Sequence, residues 1–108
     1  MEPLCRLTTV GPLTVLHVSG ELDMATLPVL RDHLARAVDE HRGETVWVDL
    51  DGVTALDDTC LGMLLGAAGR AREADGDLAL VASGDRLRHR FALTGLDRAV
   101  TVAATLPR

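Results

Sequence analysis

Four aspartates in the middle of the chain are the residues whose types and spacing could support chemistry. Asp49 lies near the end of the β-branched run TVWVDL, and Asp51 follows that run. Asp57 and Asp58 are adjacent and lie before the apolar run CLGMLLGAA. We expect all four to lie in an acidic loop between a strand and a helix, the edge at which α/β sheets bind ligands. Such a loop could hold Mg²⁺ at a phosphoacceptor site, supply a general acid and base, or be recognised by another protein.

The two catalytic interpretations lack the other residues that they need. A magnesium-dependent phosphoacceptor uses a cation, usually lysine, to hold the acyl phosphate, and this chain has no lysine. Neighbouring carboxylates at a helix start rarely converge on one substrate atom, and the chain has no Gly-x-Ser-x-Gly nucleophile motif. The histidines are spaced too widely for a metal pair. We therefore expect no catalytic residue, no metal and no cofactor, with a phosphoacceptor or enzyme using Asp49 and Asp57 as the alternative.

Helix capping accounts for only one of the two adjacent carboxylates. An aspartate at the N-cap, near the positive end of a helix, contributes about 0.3–1 kcal/mol. Two like charges about 4 Å apart repel each other by about 4 kcal/mol at an effective dielectric constant of about 20. The second carboxylate therefore needs another explanation.

The hydrophobic pattern predicts the strands that position these residues. The runs LCRLTTV and LTVLHVSG flank Gly11-Pro12 and predict a hairpin, and TVWVDL, LALVAS and AVTVA predict buried strands. Helical segments separate the later strands, so the order is β-β-α-β-α-β-α-β. An α/β fold follows, in which a hairpin leads into strands made parallel by helical crossovers.

Apolar residues at helical spacing predict three helices. The first begins at Leu27, with Thr26 as its N-cap and Pro28 in its first turn, and ends at Gly43. The second follows the acidic loop, with the apolar residues Leu61, Leu64, Leu65 and Ala68 at the same spacing, and ends near Asp75-Gly76. The third contains Leu87 and Phe91 and ends at Gly95.

Composition narrows the class of protein. The 108 residues are enough for one domain, over residues 1–108, and the net charge of −5 disfavours a nucleic-acid or anionic-membrane partner. The basic run RLRHR is interpreted as a solvated helix face in preference to an anion site. The two cysteines do not have a metal or redox spacing, and the start MEPLCRL has no signal character. The apolar runs are too short to span a bilayer. We therefore expect a cytoplasmic protein without membrane insertion.

Three segments in order resemble the STAS domain family, the anti-sigma-factor antagonists of bacterial regulation. VWVDLDGVTALDDTCLGMLLGA resembles the family's strand ending in Asp-Leu, followed by Asp-Ser-Ser/Thr-Gly-Leu-Gly at a helix start. VSGELDMATLPVLRDHL is similar to its Gly-Glu-Leu-Asp stretch and first helix, and RLRHRFALTGLDRAVTV to its third helix and last strand. The resemblance covers residues 10–102. It implies a STAS-like single domain with a mixed sheet of four or five strands and helices mainly on one face.

The resemblance also implies a binding module and not an enzyme. Family members bind an anti-sigma factor, usually a serine kinase of the histidine-kinase ATPase fold, which releases the complex by phosphorylating the first serine of the motif. The partner is expected at the loop of residues 20–24, at residues 57–62 and on the exposed side of the second helix. By position, the partner-binding residues are Gly20, Glu21, Asp23, Met24, Asp57, Thr59, Cys60, Leu61 and Gly62.

The chain departs from the family motif at two positions. Asp58 occupies the phosphoacceptor position, where a serine kinase cannot phosphorylate it, so phospho-switching is altered or absent, with Thr59 as a substitute acceptor. Cys60 replaces glycine at a helix start, where a lowered thiol pKa and redox sensing compete with the favoured inert, packed cysteine. The predicted function is an anti-sigma-factor antagonist, and the alternative is a STAS interaction subunit of a transport or scaffold complex.

Overall fold

A five-stranded mixed sheet forms the centre of the computed structural model, which describes residues 4–107. Along the sheet, in order, lie β1 (Cys5–Val10), β2 (Leu13–Leu22), β3 (Thr45–Leu56), β4 (Asp77–Val81) and β5 (Thr101–Ala103). β1 pairs with β2 in the antiparallel sense, and every other neighbouring pair is parallel. The α/β class, the hairpin and the mixed sheet predicted from the sequence are confirmed. The expectation of no signal at MEPLCRL falls in part on residues 1–3, which lie outside the described residues.

Within residues 4–107, the helices pack mainly on one face of the sheet, as predicted. They are α1 (Leu27–Glu40), α2 (Asp58–Glu73), α3 (Asp85–Thr94) and the short α4 (Leu96–Ala99), which the sequence interpretation had not separated from α3. Side chains from all of them enter one buried cluster, among them Leu34, Leu64, Phe91 and Leu96. Gly95, in a left-handed conformation with φ of 78°, ends α3 as predicted and turns the chain into α4.

Alternation along the central strands separates the two faces of the sheet. Leu16, Val48 and Leu80 are neighbours across β2, β3 and β4, and all three belong to the buried cluster under the helices. On the opposite face, which we call the open face, Trp47 of β3 lies between Val15 and Ala79. Trp47 is partly exposed while both of its neighbours are buried, so its ring covers the centre of the open face.

β3 is twice as long as the run that predicted it. The sequence interpretation ended the strand at Leu50 and placed an acidic loop after it, but β3 continues to Leu56. The reason is pairing with β2, which extends to Leu22 and stays paired with β3 as far as Leu56, with two shifts of register on the way. Gly52 permits this pairing, because a Cβ there would lie 2.9 Å from Cβ of Ser19.

Three details of the helices differ from the prediction. α1 ends at Glu40, before a turn that includes Gly43. Thr26 holds the N-cap position, as predicted, but within residues 4–107 its side chain makes no capping hydrogen bond. Leu65, one of the apolar residues whose spacing predicted α2, is 39% exposed. Pro28 does lie in the first turn of α1, as predicted.

The end of α2 follows the prediction. Asp75 adopts a positive φ of 64°, and the amide of Gly76 donates a 2.8 Å hydrogen bond back to the carbonyl of Ala71. This arrangement satisfies a carbonyl of the last helical turn and redirects the chain into β4.

Candidate functional site

The loop after β2 and the start of α2 lie next to each other. β2 and β3 run parallel and remain paired through Leu22 and Leu56, so the segments that follow them leave the sheet at the same edge. A backbone hydrogen bond of 2.9 Å from the amide of Asp57 to the carbonyl of Leu22 joins the two segments directly. The structure therefore brings together the two regions that the sequence interpretation had selected.

Asp23 and Thr26 fix the shape of the loop after β2. The Asp23 carboxylate accepts hydrogen bonds from the amides of Ala25, at 2.9 Å, and Thr26, at 3.1 Å. The Thr26 hydroxyl accepts from the amide of Asp23 and donates to the carbonyl of Glu21, both at 3.0 Å. Thr26 thus closes the loop instead of capping α1. The loop presents Glu21 and Met24 outward, and Met24 is 68% exposed.

Neither carboxylate of the adjacent pair caps α2. Asp57 holds the N-cap position, yet within the described part of the chain its side chain makes no capping hydrogen bond. Asp58 is the first residue of the helix, and its carboxylate accepts a 2.6 Å hydrogen bond from Nη2 of Arg90 on α3. The Asp58 side chain is 88% exposed despite this ion pair. The second carboxylate thus has an arginine partner that lies far from it in the sequence, within the run RLRHR. The prediction that this run is a solvated helix face did not include the ion pair.

Cys60 and Leu61 do not belong to the exposed surface. Both are buried, at 0% and 6% exposure, so the expectation that they contact a partner is corrected: they anchor the start of α2 in the core. Burial raises the pKa of the Cys60 thiol, and the nearby carboxylate of Asp57 raises it further, against the lowering effects of Thr59 and the Asp57 backbone. The raised thiol pKa and the burial of Cys60 favour the inert, packed cysteine over the activated redox cysteine.

The aspartates of β3 point to other partners and lie away from the pair at α2. Asp49 accepts a 3.0 Å hydrogen bond from Nδ1 of His17 on the open face, and Nε2 of the same ring lies 2.9 Å from the hydroxyl of Thr8. Asp51 accepts bonds from the amide and hydroxyl of Ser83. At about 3.3 Å per residue, the seven residues from Asp49 to Leu56, where β3 ends, carry the chain about 23 Å towards the start of α2.

This separation removes the geometric basis of the catalytic alternatives. The predicted acidic loop does not exist as one cluster, and Asp49 and Asp57 cannot act on one substrate atom across that distance. Among residues 4–107, no group of three or more histidine, cysteine or acidic side chains is placed to hold a metal ion.

The predicted site residues that remain form one surface, which we call the acidic patch. Its exposed or partly exposed members are Glu21, Asp23, Met24, Asp57, Asp58, Thr59 and Gly62, with Gly20 at its edge. The patch carries four carboxylates, and in the described structure Arg90 pairs with the one on Asp58. An exposed methionine among carboxylates gives the surface an apolar contact within a negative field, a composition that suits a basic protein surface.

None of the helices within residues 4–107 is long and apolar enough to cross a membrane.

Comparison with protein families gives one match over nearly the whole chain. The family model described as "Mlab, STAS domain" matches residues 5–105. The match covers every strand and helix described above.

Curated relatives and solved structures agree with this match. The chain is 30% identical to the anti-sigma-B factor antagonist of Staphylococcus aureus over 82% of each chain. It is 32% identical to the anti-sigma-B factor antagonist of Listeria monocytogenes, over 79% of this chain and 74% of that one. The crystal structure of an anti-sigma factor antagonist from Mycobacterium paratuberculosis superimposes with a TM-score of 0.83 at 28% identity, covering 94% of this chain and 86% of that one.

Proposed function

This chain belongs to the STAS domain family, and we propose that it is an anti-sigma-factor antagonist, which binds an anti-sigma factor and thereby regulates transcription. The relatives that share 30–32% identity over most of its length are anti-sigma-B factor antagonists. The proposal assigns the chain a binding role in the cytosol and no catalytic step. Its partner in this proposal is an anti-sigma factor of the serine-kinase type with a histidine-kinase ATPase fold.

The acidic patch is the observation that carries the proposal. It surrounds the motif position that the family uses for regulation, and it is built from both segments that the family resemblance selected. Its backbone is fixed by the Asp23–Thr26 loop bonds and by the Asp57–Leu22 bond before any partner arrives. A surface that is already ordered loses less conformational entropy on binding.

Asp58 gives this protein a fixed charge where a phosphorylated serine would carry a switchable one. A carboxylate contributes −1, against about −1.5 to −2 for a phosphoserine. The ion pair with Arg90 offsets that charge, so the patch presents less negative charge at this position than a phosphorylated relative would. We propose that wild-type protein binds its partner without serine phosphorylation as a switch, with an affinity lower than that of a serine variant.

The location of the interface is tested by reversing charge inside and outside the acidic patch. The partner is first recovered from native cytosol on immobilised wild-type protein and identified by mass spectrometry. Asp23→Arg is expected to weaken its binding by about tenfold or more, because it reverses a charge on the patch and removes the two loop hydrogen bonds that the carboxylate accepts. Asp39→Arg, at an exposed position on α1, is the matched control and is expected to stay within about twofold. Equal losses in both variants would move the interface elsewhere.

The altered switch is tested by restoring the serine. Asp58→Ser is expected to bind the same partner about five- to a hundredfold more tightly, corresponding to about 1–3 kcal/mol, by calorimetry. If the partner is a kinase, ATP then dissociates the serine variant and not the wild type. Thr59→Ala is the control. If the wild type takes up phosphate and Thr59→Ala does not, Thr59 is the acceptor. Weaker binding by Asp58→Ser would refute the proposed effect of the carboxylate.

The same recovery experiment separates this proposal from a role in a transport or scaffold complex. Identification of a kinase-type anti-sigma factor supports the proposal, and identification of transporter subunits replaces it. Incubation with acetyl phosphate and magnesium tests the phosphoacceptor alternative. No stable labelling is expected, since the aspartates of β3 and α2 lie apart.

A further inference from the structure

Within residues 4–107, the second half of β3 has one edge that pairs with no other strand. β4 pairs with β3 only as far as Asp49 and Val81, whereas β3 continues to Leu56 with β2 as its neighbour on the other side. Asp51 marks the point where pairing with β4 stops, because its carboxylate accepts the amide of Ser83 at 2.7 Å. Beyond this point the edge is exposed: residues 51, 52, 54 and 55 are exposed and Val53 is partly so.

This edge forms one wall of a cleft of about 560 Å³. The four consecutive residues 53–56 all line it. Pairing with β4 has ended before these residues and β2 lies on their other side, so their free backbone edge faces the cleft. The wall therefore offers peptide N–H and C=O groups, the groups that pair with an added strand.

The opposite wall is basic. It is made by the first two turns of α3, where Arg86, Leu87 and Arg90 line the cleft. Arg86 makes no hydrogen bond or ion pair with the described residues, and Arg90 lines the cleft while holding Asp58. Asp51 contributes the one negative charge among the lining residues, and Ser83 already occupies one of its oxygens. The lining residues thus carry a net positive charge in a chain whose net charge is −5.

We propose that this cleft binds an extended acidic peptide segment of a protein partner, added as a strand to the free edge of β3. The edge supplies main-chain hydrogen bonds, and the arginines select acidic side chains on the face of the peptide turned towards α3. This binding site is separate from the acidic patch and goes beyond the proposed function, since it sets the chemistry of a second contact whatever the partner at the patch is.

Arg90 links the cleft to the acidic patch. Its guanidinium donates to Asp58 at 2.6 Å and lines the cleft at the same time. An acidic side chain in the cleft competes with Asp58 for this group, so occupation of the cleft leaves more negative charge on the patch. Binding at the two sites is therefore coupled through one side chain.

Amide hydrogen exchange measured by NMR tests the strand addition. The probe is the acetylated and amidated hexapeptide Val-Glu-Val-Glu-Val-Glu, and the matched control is Val-Lys-Val-Lys-Val-Lys. With the glutamate peptide at millimolar concentration, at least one amide within residues 53–56 is expected to exchange about tenfold or more slowly, because an amide that faces the cleft gains a partner. The carboxyl resonance of Asp58 is expected to shift in the same titration.

Two variants establish the role of the arginines. Replacing both Arg86 and Arg90 with alanine is expected to weaken binding of the glutamate peptide by about tenfold, while Arg31→Ala on α1 is expected to leave this binding unchanged. The proposal is overturned if the lysine peptide protects the same amides equally, or if protection appears at β1 or β5 instead. It is also overturned if no amide of residues 53–56 is protected at about 10 mM peptide, since the Kd would then be weaker than about 10 mM, a binding free energy of about −2.7 kcal/mol. If the same amides become protected as the protein concentration rises without any peptide, the occupant is a second copy of the chain and the peptide proposal is overturned.

Discussion

The two halves of β3 belong to one strand and do different work. In the first half, residues 45–50, β3 lies between β2 and β4. Its side chains at Val46, Val48 and Leu50 are at most 1% exposed. In the second half, residues 51–56, β2 is the one strand of the described structure that pairs with β3, and most of this half is exposed. A strand paired on both edges and covered by helices stabilises the fold, whereas the half with a free edge leaves backbone groups and charges available for binding.

The largest difference between the halves is expected from truncating one side chain in each. Leu50→Ala removes a fully buried side chain from the core and is expected to lower the free energy of unfolding by about 2–5 kcal/mol. Thr54→Ala alters an exposed position and is expected to change it by less than about 0.5 kcal/mol. Urea unfolding followed by circular dichroism measures both. Similar losses would mean that the second half is as much a part of the core as the first.

A smaller effect is expected where the second half does touch its neighbour closely. Gly52→Ala places a Cβ 2.9 Å from that of Ser19, so the strands must shift, and a loss of about 1–3 kcal/mol is expected. Gly69→Ala is the matched control, because nothing lies within 4 Å of the added Cβ on α2. There the substitution is expected to stabilise the protein by up to about 1 kcal/mol, through helix propensity. A neutral Gly52→Ala would show that pairing with β2 is loose in this half.

The smallest effect concerns the polar contacts of the first half on the open face. Thr8, His17 and Asp49 form a chain of hydrogen bonds that joins β1, β2 and β3. A double-mutant cycle with His17→Ala and Asp49→Ala is expected to give a coupling energy of about 0.5–1.5 kcal/mol, because the pair is only partly buried. The ion pair between Asp85 and Arg88, on the surface of α3, is the control and is expected to show no measurable coupling. Equal coupling in both pairs would remove this distinction.

The sequence predicted the first half of β3 and misassigned the second for a physical reason. TVWVDL is rich in β-branched and aromatic residues, which favour a strand wherever they lie. DGVTAL contains aspartate and glycine, which favour turns, and it becomes a strand only because β2 extends alongside it. That pairing joins residues more than thirty positions apart, between Leu22 and Leu56. Local pattern carries no information about it.

The site shows the same division between local and long-range information. The Asp57–Asp58 pair and the loop near Asp23 were found from the motif, but Arg90 lies 32 residues beyond Asp58 and could not be paired with it from spacing. The burial of Cys60 did have a local signal, since it precedes the buried Leu64 by one helical turn and shares its face. Its thiol pKa is raised because burial, with the charge of Asp57, outweighs the hydrogen bonds from Thr59 and the Asp57 backbone.

Trp47 has a practical consequence for experiments on this protein. It is the single tryptophan of a chain without tyrosine, and it lies in the first half of β3 between Val15 and Ala79. Ultraviolet emission from the protein therefore comes almost entirely from one ring, on the opposite side of the sheet from the helices. Unfolding changes the polarity around that ring. The chain thus carries a built-in optical reporter of folding, and a dye attached near α2 would allow binding at the acidic patch to be followed in the same sample.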